Sequence, residues 1–236
     1  MAGVRSLIVP GSLTAESADP RIATYKVGMV GRAAAIFSVD EIIVYEDPAH
    51  KDARTVKRIL QYQGTAPYLR KRLFPISEEL THVGVLPPLN LPLHLVDRRP
   101  EVGDVRFGAM VGNQVDIGLP RMADLKVAHE DDVPEPGDQF PVKVEAVRGA
   151  NIVVSPYIAE PDEYLGYVVN RAPSIRTALR DQQPILGTSR DGEPFSKDHL
   201  QPEGVALLFG STEESIEELL GEEPRFPRVN TIPDQA

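Results

Sequence analysis

The chain has 236 residues, enough for a sizeable core, and no cysteine, which excludes disulfides, thiolate zinc sites and a cysteine nucleophile and fits a reducing cytoplasm. A formal net charge of −10 argues against nucleic acid, but the charge is segregated: Lys51–Arg72 holds seven bases and one acid, EDDVPEPGD (Glu130–Asp138) five acids and no base, and TEESIEELLGEE (Thr212–Glu223) six acids. A local basic face binds phosphate whatever the sum, and because no apolar run reaches the length of a signal peptide or membrane span, a soluble cytoplasmic protein is expected.

Ser6–Val9 reads as a buried strand closed by Pro10-Gly11, and ATYKVGMVGRAAAIF (Ala23–Phe37) as a helix. EIIVYE (Glu41–Glu46) is a second short apolar strand. Asp52–Gln63 follows as an amphipathic helix, with Val56, Ile59 and Leu60 on one face and Arg54, Lys57 and Arg58 on the other. Gly64 ends it, and Pro67 opens a further helix in PYLRKRLF. This β-α-β-α start is that of an α/β protein.

The texture then changes. LPPLNLPLHL reads as an extended linker. Five short β-like runs follow, DVRFGAMVG, QVDIGLP, DLKVAHE, QFPVKVEAVRG and NIVVSP, separated by turn residues. That spacing predicts a small OB-like barrel. The α/β texture returns near Glu163. APSIRTALRD predicts a helix with Ala172, Ile175 and Leu179 on one face, PILGTS a strand running into a polar loop, and VALLFG a buried strand before an acidic helix. The expected architecture is an α/β domain made of residues 1–84 and 158–236, interrupted by the barrel at 85–157.

Gly210 stands where the last apolar strand meets the acidic helix. Ser211 and Glu214 have the spacing of a capping box, with Ile216, Leu219 and Leu220 as the buried stripe. Glutamates in the first turns already complement the helix dipole and would repel a phosphate. No GxGxxG occurs, and no lysine follows the glycine as a phosphate loop requires. A ligand without phosphate fits better, and S-adenosylmethionine qualifies, but on the residues alone the plain reading prevails: a strand end that needs a glycine to turn. Arg190 sits just past a buried strand, where α/β ligands gather. Arg32, inside an otherwise apolar helix, reads as a solvent-facing side chain. The five histidines have no ligand spacing, so no metal is expected. Glu46, Asp47 and Glu130–Asp132 read as surface carboxylates, and no side chain stands out as a general base.

GRAAAIFSVDEIIVYED, APYLRKRLFP, EYLGYVV, ILGTSRDGEP, ALLFGS and VNTIPDQ occur in this order. Together they resemble the archaeal and eukaryotic branch of the SPOUT RNA methyltransferases that carries an inserted OB-like domain. The resemblance implies an α/β trefoil-knot domain, a homodimer, S-adenosylmethionine as methyl donor, and RNA, ribosomal by expectation, as acceptor. It places the cofactor among three loops: Thr188, Ser189 and Arg190; Phe209, Gly210 and Ser211; and Val229, Asn230, Thr231, Ile232 and Pro233. The family pattern continues past NTIPDQ into a final helix, which is expected beyond Ala236. RNA is expected on the basic face of Arg54, Lys57, Arg58, Arg70, Lys71 and Arg72, with Arg32 nearer the cofactor and the barrel as a second contact. A uridine base nitrogen and a ribose 2′-oxygen are both open as the methylated atom. The competing function is a non-catalytic RNA-binding or ribosome-assembly factor with the same fold; a plain nucleotide-binding protein is disfavoured by the missing phosphate loop.

Overall fold

A computed structural model describes residues 4–48, 50, 52–129, 133–161 and 163–232. The chain divides into two compact units, one of Met1–Gly64, Glu78–Leu89 and Gly166–Ala236, the other of Thr65–Ser77 and Asn90–Leu165. In chain order the elements are β1 (Val4–Pro10), α1 (Pro20–Ile36), β2 (Glu41–Tyr45), α2 (Ala53–Gly64) and α3 (Arg70–Leu73). Five further strands follow: β3 (Val105–Val111), β4 (Gln114–Asp116), β5 (Ala123–Leu125), β6 (Gln139–Arg148) and β7 (Asn151–Pro156). The chain continues with β8 (Val168–Ala172), α4 (Ile175–Ala178), β9 (Ile185–Pro194), β10 (Val205–Leu208), α5 (Ile216–Leu220) and β11 (Arg228–Asn230).

In the first unit the described strands form one parallel sheet in the order β11-β9-β10-β1-β2-β8. Its central strands are near-continuous apolar runs because both faces are covered. Ile8, Ile43, Tyr45 and Leu208 face α4 and α5, meeting Ile175, Ala178, Ile216 and Leu220. α2 packs on β2 and β8, and α1 packs on α2. α1 follows β1 while α5, on the face that Ile8 and Leu208 share, follows β10, and β1 and β10 are neighbours. The carboxyl ends of these two strands therefore form a topological switch point, where open α/β sheets bind ligands.

The second unit holds a closed barrel in the order β3-β4-β5-β7-β6. β5 and β7 pair in parallel and the other neighbours antiparallel. Met110, Val115, Ile117, Val142, Val144 and Val154 fill its interior. Four of the five strands lie within the runs expected from the sequence, and β5 begins one residue before its run, at Ala123. Outside the barrel core, Ala66 and Leu69 bury against Phe107 and Ala109.

Several local expectations need correction. The helix expected from Pro67 is only Arg70–Leu73; ahead of it the chain makes a turn in which the Leu69 N–H donates to the Ala66 carbonyl, and Ala66 and Leu69 bury against β3. The segment read as an extended linker contains a 3-10 turn at Pro92–His94, with His94 and Leu91 buried. Ala172 ends a strand that the sequence did not reveal, and the helix after it runs only over Ile175–Ala178, capped by Ser174. β8 was missed because three of its five residues, Val168, Asn170 and Arg171, face solvent, which erases the apolar run expected of a central strand.

Candidate active site

The site is built on the carboxyl edge of the parallel sheet. β9 does not stop at Gly187 as a strand running into a loop; its extended backbone continues to Pro194. Yet the ladder to β11 is broken: Arg228 pairs with Gly187 and the very next residue, Val229, with Glu193. Thr188–Gly192 leave the ladder between those pairs, so the polar excursion expected here exists as a bulge inside a strand. The Thr188 hydroxyl donates to the Leu208 carbonyl at 3.2 Å, and Asn230 Nδ2 donates to the Arg190 carbonyl at 2.9 Å. At the far end of the bulge Gly192 lies against β11. A Cβ there would stand 2.7 Å from the Val229 carbonyl carbon, so only glycine lets the strand rejoin.

The β10–α5 turn forms the next wall. The capping box lies one turn later than expected. Ser215 caps α5, accepting from the Glu218 N–H, while the Glu218 carboxylate takes the Ser215 N–H at 2.7 Å. Those bonds hold the Glu218 carboxyl below its ordinary range. Ser211 instead closes a tight turn: its Oγ accepts from the Glu214 N–H at 2.9 Å, and its N–H donates to the Glu214 carbonyl at 3.0 Å. Gly210 lies inside this turn, where a Cβ would come within 3.2 Å of the Glu214 carbonyl oxygen. The Tyr45 hydroxyl, at the end of β2, donates to the Phe209 carbonyl at 3.0 Å and anchors the turn to the sheet. Burial foremost, and then the charges of Asp47 and Glu214, push the Tyr45 hydroxyl pKa up, so it stays a donor.

These segments surround one cavity of about 620 Å³. Thr188, Ser189 and Arg190, then Phe209, Gly210 and Ser211, then Val229, Asn230, Thr231 and Ile232 all line it. Pro233, grouped with them from the sequence, lies outside the described residues. The cavity also takes carboxylates from the turn and α5. Glu217 is paired with Arg228 of β11, and Glu213 with His50 at 3.3 Å. The Glu214 carboxylate has no hydrogen-bond or ion-pair partner among the described residues. The site therefore offers backbone groups, hydroxyls, the Arg190 guanidinium and an excess of carboxylates.

Sequence reasoning also misread a carboxylate just after β2. Asp47 is not a surface carboxylate: it is 2% exposed and accepts from the Ser12 hydroxyl at 2.5 Å. The apolar strand before it was visible, but the partner sits 35 residues away. Glu130–Asp132 lie outside the described residues.

The basic residues are distributed over both units. On α2, Arg54 is exposed and Lys57 and Arg58 half-buried, with Arg54 Nε 3.4 Å from Glu79. Arg32 is half-buried, and Nη1 donates to the Pro88 carbonyl at 2.7 Å. Arg70, Lys71 and Arg72 belong to the second unit, where Arg70 Nε donates to the Thr65 carbonyl and Arg72 pairs with Asp116 at 3.1 Å. Among the described residues no group of three or more histidines and carboxylates is placed to hold a metal ion, and no helix is long and apolar enough to cross a membrane.

Comparison with known proteins adds an independent line. Residues 5–234 match a family described as "Putative RNA methyltransferase". An "uncharacterized protein" of Halobacterium salinarum is 32% identical over 266 residues, covering 98% of this chain and 92% of that one. The mouse 28S rRNA (uridine-N(3))-methyltransferase is 26% identical over 256 residues, 94% of this chain and 66% of that protein. Its human counterpart is 37% identical over 123 residues, 45% of this chain and 32% of that protein.

Proposed function

This chain belongs to the RNA methyltransferase family that its residues 5–234 match, and from that premise we propose that it transfers a methyl group from S-adenosylmethionine to a uridine N3 of ribosomal RNA. The carrying observation is the convergence of the β9 bulge, the β10–α5 turn and the end of β11 on one cavity at the sheet's carboxyl edge. Its volume lies within the roughly 300–1,000 Å³ usual for small-molecule sites. The names of the mouse and human relatives supply the acceptor atom.

The residues fit this donor. A sulfonium and an ammonium are cations, and Glu214 offers a carboxylate that no described side chain neutralises. A phosphate would meet repulsion at the same place. Thr188, Ser189 and Arg190, the Phe209–Ser211 turn and Val229–Pro233 would hold the adenosine and the amino-acid tail, largely through backbone groups. Bound there, the donor supplies an already activated methyl, which leaves the protein to align the acceptor and exclude water.

The same reading carries an architectural side. The sheet end where β10 lies between β9 and β1, with β11 outside β9, is the part of the chain that we read as a SPOUT trefoil knot. The barrel's strand order, with its one parallel closure of β5 on β7, supports an OB-like insert between the two parts of the α/β domain. A homodimer is supported by α1, whose Ile22, Tyr25, Met29 and Ile36 recur at coiled-coil spacing and are 52%, 47%, 43% and 63% exposed. RNA phosphates would meet Arg54, Lys57 and Arg58 of α2, with Arg32, Arg70, Lys71 and Arg72 as further cations.

The test is nucleoside mass spectrometry of ribosomal RNA from cells lacking the protein. Loss of 3-methyluridine, restored by adding purified protein and S-adenosylmethionine, is expected. Unchanged methylation of every rRNA uridine would overturn the reading.

A further inference from the structure

The donor cavity has a neighbour in the same unit. A second cavity of about 680 Å³ is bounded by the loop after β1, the first turns of α1 and α2, and the segment from Glu78 to His82. Asp52, Glu78 and Glu79 give it carboxylates, and His50 and His82 imidazoles. One contact joins the two cavities: His50 Nε2, on the second, lies 3.3 Å from Glu213 Oε1, on the first. The Ser17 hydroxyl also lines the second cavity; its oxygen is buried and finds no hydrogen-bond partner among the described residues. An orphaned buried hydroxyl leaves a polar group for a ligand to satisfy.

We propose that this second cavity receives the acceptor uracil and that His50, held by Glu213, is the base that removes its N3 proton. The inference rests on the methyl-transfer reading above and deepens it. The cavity's carboxylates would repel a phosphate but not a neutral nucleobase. Ser17 can donate to a uracil carbonyl, replacing the bond it lacks. Phosphates stay at the rim, where the exposed guanidinium of Arg54 reaches Glu79 and the cationic face of α2 continues.

The chemistry requires such a base. An imide nitrogen is a poor nucleophile until it loses its proton, and an activated donor does nothing to remove it. With Nε2–H directed at the Glu213 carboxylate, His50 Nδ1 keeps a lone pair. The N3–H bond breaks, the proton bonds to Nδ1, and the electron pair stays on N3. That pair then forms the nitrogen–carbon bond while the carbon–sulfur pair of the donor returns to sulfur. Glu213 stabilises the imidazolium that results. The other ionisable groups facing His50 across the cavity are Asp52, Glu78, Glu79 and His82.

The test uses the full protein with ribosomal RNA from cells lacking it. His50→Gln is expected to slow single-turnover methylation by about 100-fold or more, within the span of general base catalysis, and to remove the fall in rate on acidification. His50→Ala is expected to regain rate with added imidazole, which a structural histidine would not do. His82→Gln should keep the acid limb. Calorimetric binding of S-adenosylmethionine should match the parent in His50→Gln. Without the methyl donor, the His50 imidazole resonances should move on adding oligouridylate and not oligoadenylate. Parental rates in His50→Gln, or resonances indifferent to oligouridylate, would overturn the inference while leaving methyl transfer intact. A parent protein that binds no S-adenosylmethionine and methylates nothing would overturn the functional reading itself.

Discussion

At the residue scale the candidate site turns on Gly210. Its backbone is ordinary, so its value is the missing Cβ, which would come within 3.2 Å of the Glu214 carbonyl on the cavity wall. Gly210→Val should abolish S-adenosylmethionine binding, measured by calorimetry, because the branched side chain either fills the cavity or displaces the Glu214 turn. Unchanged affinity would remove this turn from the donor site. Gly192 works differently, permitting the bulge of β9 to close on β11. Neither role was legible locally. A glycine after a buried strand is visible in the sequence, but what its absent side chain would strike comes from segments distant in sequence or not yet turned. The capping residue shows the same limit. Ser211 and Ser215 both stand three residues before a glutamate, and Ile216 decides between them, because burying it on Ile8 and Leu208 starts the helix after Ser215.

At the element scale, α2 was the clearest reading of the sequence. Val56, Ile59 and Leu60 are buried as their spacing predicts, and the cations occupy the remaining faces. Its predicted function is testable through salt. Neutralising phosphates releases counterions, and for single strands the slope of log K against log salt is about −0.7 per phosphate contacted. If ~4 basic residues engage RNA, the slope is roughly −3. Replacing Arg54, Lys57 and Arg58 by alanine should flatten it by about two units and weaken all sequences alike, since phosphate contacts carry no sequence information. Cofactor affinity should not move. A triple variant that keeps the parental slope would show a merely solvated face. The second cationic cluster was less legible. Arg70 and Arg72 spend donors on Thr65 and Asp116, partners that no helical periodicity announces.

For the whole molecule, α1 presents its outer stripe to solvent together with an apolar groove of about 380 Å³ between Val30, Ala33, Phe37 and the sheet residues Leu7, Val9 and Leu207. Exposed apolar area on this pattern is what a second copy would cover. Light scattering at micromolar concentration should return twice the chain mass, and Met29→Glu should shift it toward the single chain. A parental protein that scatters as one chain would remove the dimer, and with it any view of the site that needs a partner subunit.

By itself the sequence determined the β-α-β-α start, the buried strands β9 and β10, the five barrel strands to within a residue, and the order of the motifs that mark the RNA methyltransferase family. Each of these is written in neighbouring residues: periodicity, turn chemistry and short apolar runs are local. The tertiary structure alone decided that the β9 bulge, the β10–α5 turn and β11 share one cavity, that Asp47 is buried on Ser12, and that His50 meets Glu213 from 163 residues away. Strand order in a parallel sheet is set by which crossovers bury both faces at once. That is a sum over the whole unit, and no window of the sequence contains it.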